Sequence, residues 1–253
     1  MKLNYLSVKN ISEKELLLPA ADSIDICIFP IDDFSSIADD ESSLSLLERK
    51  RASCLRQGGD KLRFMASRIL LRRILSLYLS CPAERLSFST GAHGKPALSP
   101  EETRKKSSPE IQFNLSHSGR LVALAFSTSS PLGIDIENTR RNIRAETLVR
   151  RFFHPDEYLE FLKLDSAARQ DFLLRRWTVR EAFLKGIGSG FSMSPASFYV
   201  EETSHPSSLF RIKKSQEDYS SWRIKPIFVP DGYYCSVAYQ TPSAARIKGD
   251  SVQ

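Results

Sequence analysis

The chain has 253 residues, of which 41% are hydrophobic and 26% are charged, proportions typical of a globular protein with a buried core. No apolar stretch approaches the roughly 18 residues that a membrane-spanning helix needs, and polar residues interrupt the N-terminal segment where a signal peptide would lie. A cytoplasmic protein that does not insert into a membrane is therefore expected. The net charge of +6 favours an anionic partner, which can be a nucleic acid, an acidic protein or a phosphorylated small molecule.

The four cysteines stand far apart in the sequence and form no CxxC pair. They are Cys27, Cys54, Cys81 and Cys235. This spacing argues against a zinc site or a disulfide framework. We expect these residues to be buried or half-buried thiols.

In the first half of the chain, hydrophobic periodicity predicts a strand, a long helix and a pair of strands. Ser23–Ile31 alternates and then runs apolar, as a strand does. Residues 60–79 place apolar side chains at helical spacing after Gly58-Gly59, which we interpret as a breaker. Residues 99–108 are rich in Ser, Pro, Lys and Glu and predict an exposed loop. Residues 112–127 then predict a strand, a polar turn and a second strand.

The second half repeats this order of strand, helices and strands. Gly133–Glu137 predicts a short strand, and His154-Pro155 predicts a helix start because proline suits the first helical position. Residues 167–186 predict a long helix ended by glycines, which are Gly186, Gly188 and Gly190. Three further strands are predicted, at Phe198–Val200, Trp222–Val229 and Tyr233–Tyr239. A weak sequence echo links Arg68–Arg73 with Arg180–Lys185.

The repeated order of elements predicts an α+β fold built of two similar halves. We expect the boundary between residues 1–128 and 129–253. A cleft between two such halves is the natural place for a ligand.

The segment GIDIE, Gly133–Glu137, could hold a metal ion. Because side chains two positions apart in a strand point to the same face, Asp135 and Glu137 present two carboxylates together. Two adjacent like charges are unfavourable unless a cation holds them, and oxygen ligands of this kind suit Mg²⁺. Taken alone, however, the pattern is more often an ordinary exposed strand face.

Three further segments carry polar groups that could contact a phosphorylated ligand. In WTVREAFLK, Glu181 and Lys185 share a helix face, with Trp177 one turn earlier. In Asn114–Gly119, hydroxyls, an imidazole and backbone N–H groups could bind phosphate at the end of a strand. Gly94-Lys95-Pro96 predicts a turn that holds one lysine. Each segment alone has an ordinary explanation as a surface ion pair or a polar turn.

The order of these segments along the chain is more specific than any one of them. HGKPAL, FNLSHSG, GIDIE and WTVREAFLK in succession resemble the surfactin-synthetase-activating type of 4′-phosphopantetheinyl transferase, over essentially the whole chain. RFFHPDEY, at residues 151–158, resembles the family's segment between the two acidic motifs. The resemblance implies two pseudo-symmetric α+β halves with coenzyme A between them. It also implies transfer of phosphopantetheine to a serine of an apo acyl or peptidyl carrier protein, by an enzyme expected to be a monomer.

The resemblance further implies roles for individual residues. Asp135, Glu137 and Glu181 should bind Mg²⁺, with Mn²⁺ as a possible substitute. Glu181 should also be the base for the acceptor serine, and Lys185 should contact the phosphate and assist the leaving group. Seven residues are expected to contact coenzyme A, namely Lys50, Arg63, Lys95, Ser116, His117, Asp135 and Lys185.

Two positions depart from the family pattern. Arg180 stands just before Glu181, where family members commonly have lysine. A planar guanidinium with several N–H donors there replaces the compact ammonium group of lysine. Ser53 stands where some members carry another basic residue, which weakens the predicted contacts with the nucleotide phosphates. The roles of both positions are open at this point.

Two other functions are compatible with parts of the sequence. One is a protein that binds coenzyme A without transferring any part of it, although all three carboxylates and Lys185 are present. The other is a nucleic-acid-binding protein, suggested by the sequence pI of about 9.1 and by three arginine pairs at residues 140–141, 150–151 and 175–176. No known nucleic-acid-binding motif is evident, and the pairs are dispersed, so we expect no nucleic-acid partner. The sequence leaves open which carrier is served and whether acyl-coenzyme A is accepted.

Overall fold

The computed structural model describes residues 1–7, 16–56, 58–91, 94–99, 110–140, 144–204, 209–213 and 217–241. The predicted loop at 99–108 lies outside these ranges apart from Ser99, and His93 and Arg141 lie outside them as well. Within the described part, the chain forms two main sheets, each covered on its outer face by a long helix, and one short hairpin.

The described residues form eleven strands and five α-helices. The strands are β1 (Lys2–Leu6), β2 (Ser23–Pro30), β3 (Phe88–Thr90), β4 (Pro96–Leu98), β5 (Gln112–Ser118), β6 (Leu121–Ser127), β7 (Leu132–Asn138), β8 (Tyr199–Glu202), β9 (Phe210–Lys213), β10 (Trp222–Pro226) and β11 (Tyr233–Gln240). The helices are α1 (Leu46–Ser53), α2 (Gly58–Leu79), α3 (Ala145–Phe152), α4 (Pro155–Leu162) and α5 (Ser166–Ile187). Segments of 3₁₀ helix occupy Ile31–Ser43, Ala83–Arg85, Gly190–Ser192 and Pro195–Ser197.

The first sheet has the strand order β1-β2-β6-β5, with β1 parallel to β2 and the other pairs antiparallel. Helix α2 packs on its outer face through apolar side chains at helical spacing, among them the fully buried Ile69, Ile74 and Leu75. Phe113 and Phe126 meet these side chains from the sheet. The apolar stripe that predicts the helix is therefore the stripe that holds it on the sheet.

The second sheet is antiparallel throughout, with the order β7-β11-β10-β9-β8. Helix α5 covers its outer face, where Val179 and Phe183 are fully buried. The ring of Phe183 meets that of Trp222 edge to face, with centroids 5.5 Å apart. Each half thus pairs one sheet with one 22-residue helix.

The inner faces of the two sheets pack against each other. Ile26 of β2 and Ala125 of β6 share one buried cluster with Ile134 of β7 and Val237 of β11. Because both faces of the first sheet are covered, all seven residues of β6 are buried, which explains the uninterrupted apolar run LVALAFS. The layers are helix, sheet, sheet and helix. The predicted α+β class with two similar halves is confirmed, whereas the boundary at residue 128 stays a prediction.

Local sequence signals fix where several helices begin and end. Helix α1 starts with a capping box, in which Ser45 and Glu48 satisfy each other's backbone N–H groups. The predicted start of α4 is confirmed, since the His154 imidazole accepts a hydrogen bond from a first-turn N–H group and Pro155 is the first helical residue. Helix α5 ends at Gly188, whose φ of 73° is a conformation that glycine adopts without strain.

Three details predicted from the sequence are wrong. Gly58-Gly59 is the first turn of α2 rather than a breaker before it. Gly186 lies within α5, and only Gly188 caps that helix. The polar turn predicted at residues 116–120 is shorter than expected, since Ser116, His117 and Ser118 belong to strand β5 and pair with β6.

Four strands and one cysteine also differ from expectation. The sequence does not predict strands β1, β3, β4 and β9, because each is only three to five residues long, although Phe210 and Ile212 of β9 alternate with polar residues. Pairing with neighbouring strands holds them in place. Cys27 and Cys235 are buried and Cys81 is half-buried, as expected, but Cys54 is exposed at the end of α1.

Among the described residues, no helix is both long enough and apolar enough to cross a lipid bilayer.

Candidate active site

The site begins where strand β7 passes unusually close to helix α5. A Cβ atom on Gly133 would lie 2.1 Å from the carbonyl oxygen of Ala182, and a Cβ atom on Gly186 would lie 2.5 Å from the ring of Trp222. Only glycine at these two positions permits such an approach. The contact brings the side chains that follow Gly133 on the strand under the last turns of the helix.

Asp135 is the buried centre of this junction, with 4% of its surface exposed. Its Oδ1 atom accepts hydrogen bonds from Lys185 Nζ at 2.6 Å and from Ser116 Oγ at 2.8 Å. Its Oδ2 atom is buried and has no hydrogen-bond partner among the described residues. Burial raises the pKa of Asp135, and the Lys185 ammonium opposes that rise. An unsatisfied carboxylate oxygen is costly to bury, so it marks a place where a cation or donor can bind.

Two further carboxylates lie near Asp135. Glu181 is half-buried one turn before Lys185 on α5. Loss of solvent raises the pKa of Glu181; the Lys185 charge counters this, and the charges of Asp135 and Glu137 add to it. Glu137 is half-buried on β7, where its Oε2 atom accepts a hydrogen bond from Ser118 Oγ at 2.8 Å. The three carboxylates therefore influence one another, with one ammonium among them.

These residues fit a divalent cation by their chemistry. Carboxylate oxygens are the donors that Mg²⁺ prefers, and the unpartnered Oδ2 of Asp135 is an acceptor that a cation would satisfy. In the part of the chain that the structure describes, no three His, Cys, Asp or Glu side chains are already gathered closely enough to hold a metal ion. The donors are present, but they are not preassembled.

Ser116 and His117 are neighbours in sequence but point to opposite faces of β5. Ser116 is buried and turned toward Asp135, whereas His117 is exposed and lines a separate cavity of about 500 Å³ together with Arg63 and Arg140. Arg63 donates a hydrogen bond to the carbonyl of Gly119 at 2.9 Å. Partial desolvation and the Arg63 charge lower the pKa of His117.

Lys95 lies on the turn between β3 and β4, as the sequence predicts, but its ammonium reaches across to the other half. It donates to the carbonyls of Leu132 at 2.9 Å and Gly186 at 3.2 Å. Burial lowers its pKa to about 8. Lys95 lines a cavity of about 220 Å³ between the halves together with Lys185 and Arg68.

Lys50 is exposed on α1 and lines neither of these two cavities. Of the seven residues expected to contact coenzyme A, Ser116, Asp135 and Lys185 therefore form one group. Arg63 and His117 form a second, and Lys95 joins the halves. Each assignment stays a prediction.

Comparison with known proteins identifies the family. The family description "4′-phosphopantetheinyl transferase superfamily" matches residues 131–238, and "4′-phosphopantetheinyl transferase, N-terminal" matches residues 35–129. The 4′-phosphopantetheinyl transferase HetI of Nostoc sp. is 33% identical over 173 residues, which are 68% of this chain and 71% of HetI. The chain belongs to the 4′-phosphopantetheinyl transferase superfamily. The family and the enzyme class predicted from the motif order are confirmed.

Other relatives show the same likeness. The 4′-phosphopantetheinyl transferase Sfp of Bacillus subtilis is 35% identical over 153 residues, covering 60% of this chain and 64% of Sfp. The 4′-phosphopantetheinyl transferase psf-1 of Bacillus pumilus is 28% identical over 187 residues, covering 74% of this chain and 75% of that protein.

Arg180, the departure noted in this phosphopantetheinyl transferase, does not face the carboxylates. It is fully buried and ion-pairs with Glu157 of the RFFHPDEY segment, which is also fully buried. Its guanidinium lies 4.0 Å from the centroid of the Phe153 ring. Trp177 stacks on the same ring, at 6.4 Å between centroids. Arg180 and Trp177 therefore join α5 to α3 and α4, away from the carboxylates.

Sequence reasoning missed three polar residues that line or support the transferase cleft. Asn114 and Ser118 share with Ser116 the face of β5 that is turned toward β7, and Arg68 lines the smaller cavity with its Nε atom buried and unpartnered. The alternation Asn-Leu-Ser-His-Ser contains a signal for the first two, since every second residue shares a face. No comparable signal in the sequence singles out Arg68.

Proposed function

We propose that this transferase moves the 4′-phosphopantetheine group of coenzyme A to a serine hydroxyl of an apo acyl or peptidyl carrier protein. The products are the holo carrier and adenosine 3′,5′-bisphosphate. The observation that carries the proposal is the buried Asp135, with one unpartnered oxygen, beside Lys185 and Glu181 at the junction of the two halves. Such a group of perturbed titratable residues is typical of active sites.

Asp135, Glu137 and Glu181 are proposed to hold Mg²⁺, or Mn²⁺ in its place. When bound, the ion supplies Lewis-acid neutralisation of the negative charge on the pyrophosphate of coenzyme A. This proposal is supported by the donor chemistry of the three side chains and by the unpartnered Oδ2 atom of Asp135.

Glu181 is proposed to take the proton of the acceptor serine, directly or through a water molecule. A serine hydroxyl is a poor nucleophile at neutral pH and needs a base, and Glu181 is a half-buried carboxylate on the same helix as Lys185. The serine oxygen then forms a bond with the β-phosphorus of coenzyme A, while the bond from that phosphorus to the bridging oxygen breaks. The electron pair leaves with adenosine 3′,5′-bisphosphate.

Lys185 is proposed to balance the charge of the transferred phosphate and of the leaving group. Its ammonium is held by Asp135 Oδ1, Ser116 Oγ and the carbonyl of Ile134, and it also lines the cavity between the halves. A fixed cation costs little reorganisation during the reaction, which is the main source of electrostatic catalysis.

The remaining contacts with coenzyme A are proposed to come from two places. Arg63 and His117 line the larger cavity and carry donors that suit a phosphate. Lys95 lines the smaller cavity, although its hydrogen bonds to two carbonyls favour a role in joining the halves. Lys50 would contact the nucleotide from the exposed surface of α1.

The experiment is a transfer assay with purified protein, coenzyme A, Mg²⁺ and a panel of apo acyl and peptidyl carriers. We expect one or more carriers to gain the mass of a phosphopantetheine group. A carrier whose acceptor serine is replaced by alanine, and a reaction with chelator, are the controls. Binding of coenzyme A with no carrier modified would support the alternative of a binding protein without transfer.

We further propose a cytoplasmic monomer that binds neither nucleic acid nor membranes. No observation favours the nucleic-acid alternative, since Arg175 and Arg176 are engaged in ion pairs with Glu202, Glu157 and Glu160. Light scattering of the purified protein tests whether it is a monomer. A gel-shift assay with DNA and RNA tests whether it binds nucleic acid.

A further inference from the structure

Two edge strands from different sheets meet beside the carboxylates. Strand β5 is the last strand of the first sheet, and β7 is the first strand of the second. Three alternate side chains of β5 cross this gap, namely Asn114, Ser116 and Ser118. All three are buried, with 4% to 8% of their surface exposed. We call these three side chains the β5 ladder.

Each side chain of the β5 ladder forms a hydrogen bond with a residue of β7. Asn114 Oδ1 accepts a hydrogen bond from the backbone N–H of Ile134 at 2.9 Å. Ser116 Oγ donates to Asp135 Oδ1, and Ser118 Oγ donates to Glu137 Oε2, both at 2.8 Å. Two of the three contacts therefore end on carboxylates that the proposed function assigns to the metal.

The direction of both serine hydrogen bonds is fixed by a second contact. Ser118 Oγ accepts from the backbone N–H of Asn138 at 3.1 Å, and Ser116 Oγ accepts from Lys185 Nζ at 3.1 Å. An ammonium and a backbone N–H can only donate, so each hydroxyl hydrogen is left for the carboxylate. Each serine thus holds one carboxylate oxygen in place, and the Oδ2 atom of Asp135 stays without a hydrogen-bond partner among the described residues.

We infer that the β5 ladder is a positioning element of the N-terminal half that orients the metal-binding carboxylates of the C-terminal half. Ser118 is a positioning residue acting through Glu137, and Ser116 acts in the same way through Asp135. This inference rests on the proposed function, because it takes Asp135 and Glu137 as metal ligands. It also means that residues of both halves are needed to complete the site.

The arrangement changes the interpretation of Ser116. The sequence resemblance implies that Ser116 contacts a coenzyme A phosphate, but its hydroxyl is buried with both its donor and one acceptor position used inside the protein. Partners that hold metal-binding side chains in this way commonly change metal affinity 10- to 100-fold when they are removed.

The test uses Ser118, because Ser116 also touches Lys185. The dissociation constant of Mn²⁺ is measured by electron paramagnetic resonance for wild type, Ser118→Ala and Ser118→Thr, without coenzyme A and with saturating coenzyme A but no carrier. We expect about a tenfold weaker affinity in Ser118→Ala and a value within about twofold of wild type in Ser118→Thr, which keeps the hydroxyl. Ser67→Ala is the matched control, since Ser67 is a buried serine that bonds only within α2.

A second measurement separates positioning from a general loss of stability. In the Glu137→Gln background, Ser118→Ala should weaken Mn²⁺ binding by less than about twofold, because the residue that Ser118 orients is already changed. Urea denaturation of each variant reports the folded fraction under the conditions of the titration.

The outcomes distinguish this inference from the proposed function. Wild-type Mn²⁺ affinity in a folded Ser118→Ala variant, in a protein that transfers phosphopantetheine, would overturn the inference and leave the function standing. An equal loss in the Glu137→Gln background, or failure of wild type to bind Mn²⁺ at all, would also overturn it. Absence of transfer by wild type that still shows the Ser118 effect on Mn²⁺ would instead count against the proposed function alone.

Discussion

Strands β2 and β7 both carry an Ile-Asp-Ile sequence, and in both the aspartate contacts the last turns of the long helix on its own sheet. Asp25 and Asp135 are equally buried, at 4% exposed. Asp25 has both oxygens satisfied, by Asn4 Nδ2 at 2.8 Å and by Tyr78 Oη at 2.5 Å. Asp135 has one satisfied oxygen and one without a partner. The same structural position is therefore complete in one half and open to a ligand in the other.

A second pair of residues is alike in both halves. Arg72 and Arg180 occupy the same position within their 22-residue helices, and each pairs with a glutamate from the preceding helix. Each also donates to backbone carbonyls that follow its helix. The weak sequence echo, which aligned Arg68 with Arg180, is therefore wrong by four residues, because Arg72 is the structural counterpart of Arg180. The two halves therefore share the positions of a buried aspartate and a buried arginine, and they differ in the unpartnered oxygen of Asp135.

The largest expected effect comes from exchanging Asp135, the open carboxylate. Asp135→Asn should reduce kcat for transfer on the order of 10³-fold, equivalent to about 4 kcal/mol of transition-state stabilisation, because an amide is a poor ligand for a divalent cation. The folded state should lose little stability, because relief of the buried Asp135 charge offsets loss of the ion pair with Lys185, whose side chain is partly exposed. Initial rates with a carrier identified in the panel, together with a urea denaturation curve, measure both quantities.

Asp25→Asn is the matched control for this comparison. Its two partners donate to a carboxylate, so we expect a loss of about 1–3 kcal/mol in the free energy of unfolding with transfer retained in the folded fraction. A comparable loss of kcat in both variants, at equal folded fraction, would show that the two aspartates do not differ in role.

The fold and the site differ in how far the sequence could predict them. Periodicity was enough for α2 and α5 because their apolar stripes pack on the sheets, and the order of motifs was enough for the family. The β5 ladder could not be predicted, because it depends on which strand edge of the other sheet lies opposite. The Arg180–Glu157 pair could not be predicted for a similar reason. Its members are 23 residues apart in the sequence, and only the packing of the helices shows that both are buried.

The next effect is on stability and concerns the equivalent ion pairs of the two halves, Arg180–Glu157 and Arg72–Glu48. Glu157→Gln should lower the free energy of unfolding by about 3 kcal/mol, because it leaves the fully buried Arg180 guanidinium without a counter-charge. Glu48→Gln should cost about 1 kcal/mol or less, since the Glu48 side chain is 13% exposed and water can replace part of the lost interaction. Urea denaturation of both variants gives the comparison.

Replacing Arg180 as well should reverse much of the effect of Glu157→Gln. In the double variant with Arg180→Met no unpaired buried charge remains, so the free energy of unfolding should recover by at least about 1 kcal/mol. A double variant that is as unstable as the sum of the single changes would indicate that packing around Phe153, rather than charge, sets the cost.

A smaller effect is expected at the larger cavity, where His117 and Arg63 lie. His117→Ala should raise KM for coenzyme A about fivefold, equivalent to about 1 kcal/mol, with kcat nearly unchanged. Desolvation and Arg63 lower the pKa of His117 in the free enzyme, and a bound phosphate would raise it again. The gain in affinity is therefore complete below the free-enzyme pKa and is lost as pH rises through the pKa of the complex.

The measurement is a pH series of KM for coenzyme A in wild type and His117→Ala. KM should rise with pH more steeply in wild type than in His117→Ala. The titration of coenzyme A contributes equally to both profiles, so their difference reports the titration of His117. A fall in kcat with unchanged KM would place His117 in the chemical step instead.

The smallest effect concerns the carrier, whose docking we expect to depend on charge. The family resemblance implies a carrier that is acidic around the modified serine. Arg175 and Arg176 are held in internal ion pairs, whereas Arg150 and Arg151 are exposed on α3. Arg150 and Arg151 can therefore attract an acidic partner from solution, as can the exposed Arg140, whose neighbour Arg141 lies outside the described residues.

Rising ionic strength should raise KM for the carrier several-fold between low and physiological salt while kcat changes little. Exposed charges are screened over a Debye length of about 8 Å at 0.15 M, and complementary charge acts mainly on encounter. KM for coenzyme A should respond less, because its proposed contacts are more enclosed. Initial rates are measured with Mg²⁺ saturating and each substrate varied in turn.

Changing both Arg150 and Arg151 to Gln should flatten the response of the carrier KM to salt, whereas Arg85→Gln, which changes an exposed arginine in the other half, should not. A carrier KM that stays constant would show instead that apolar contacts dominate docking, as they do in the cores of most interfaces.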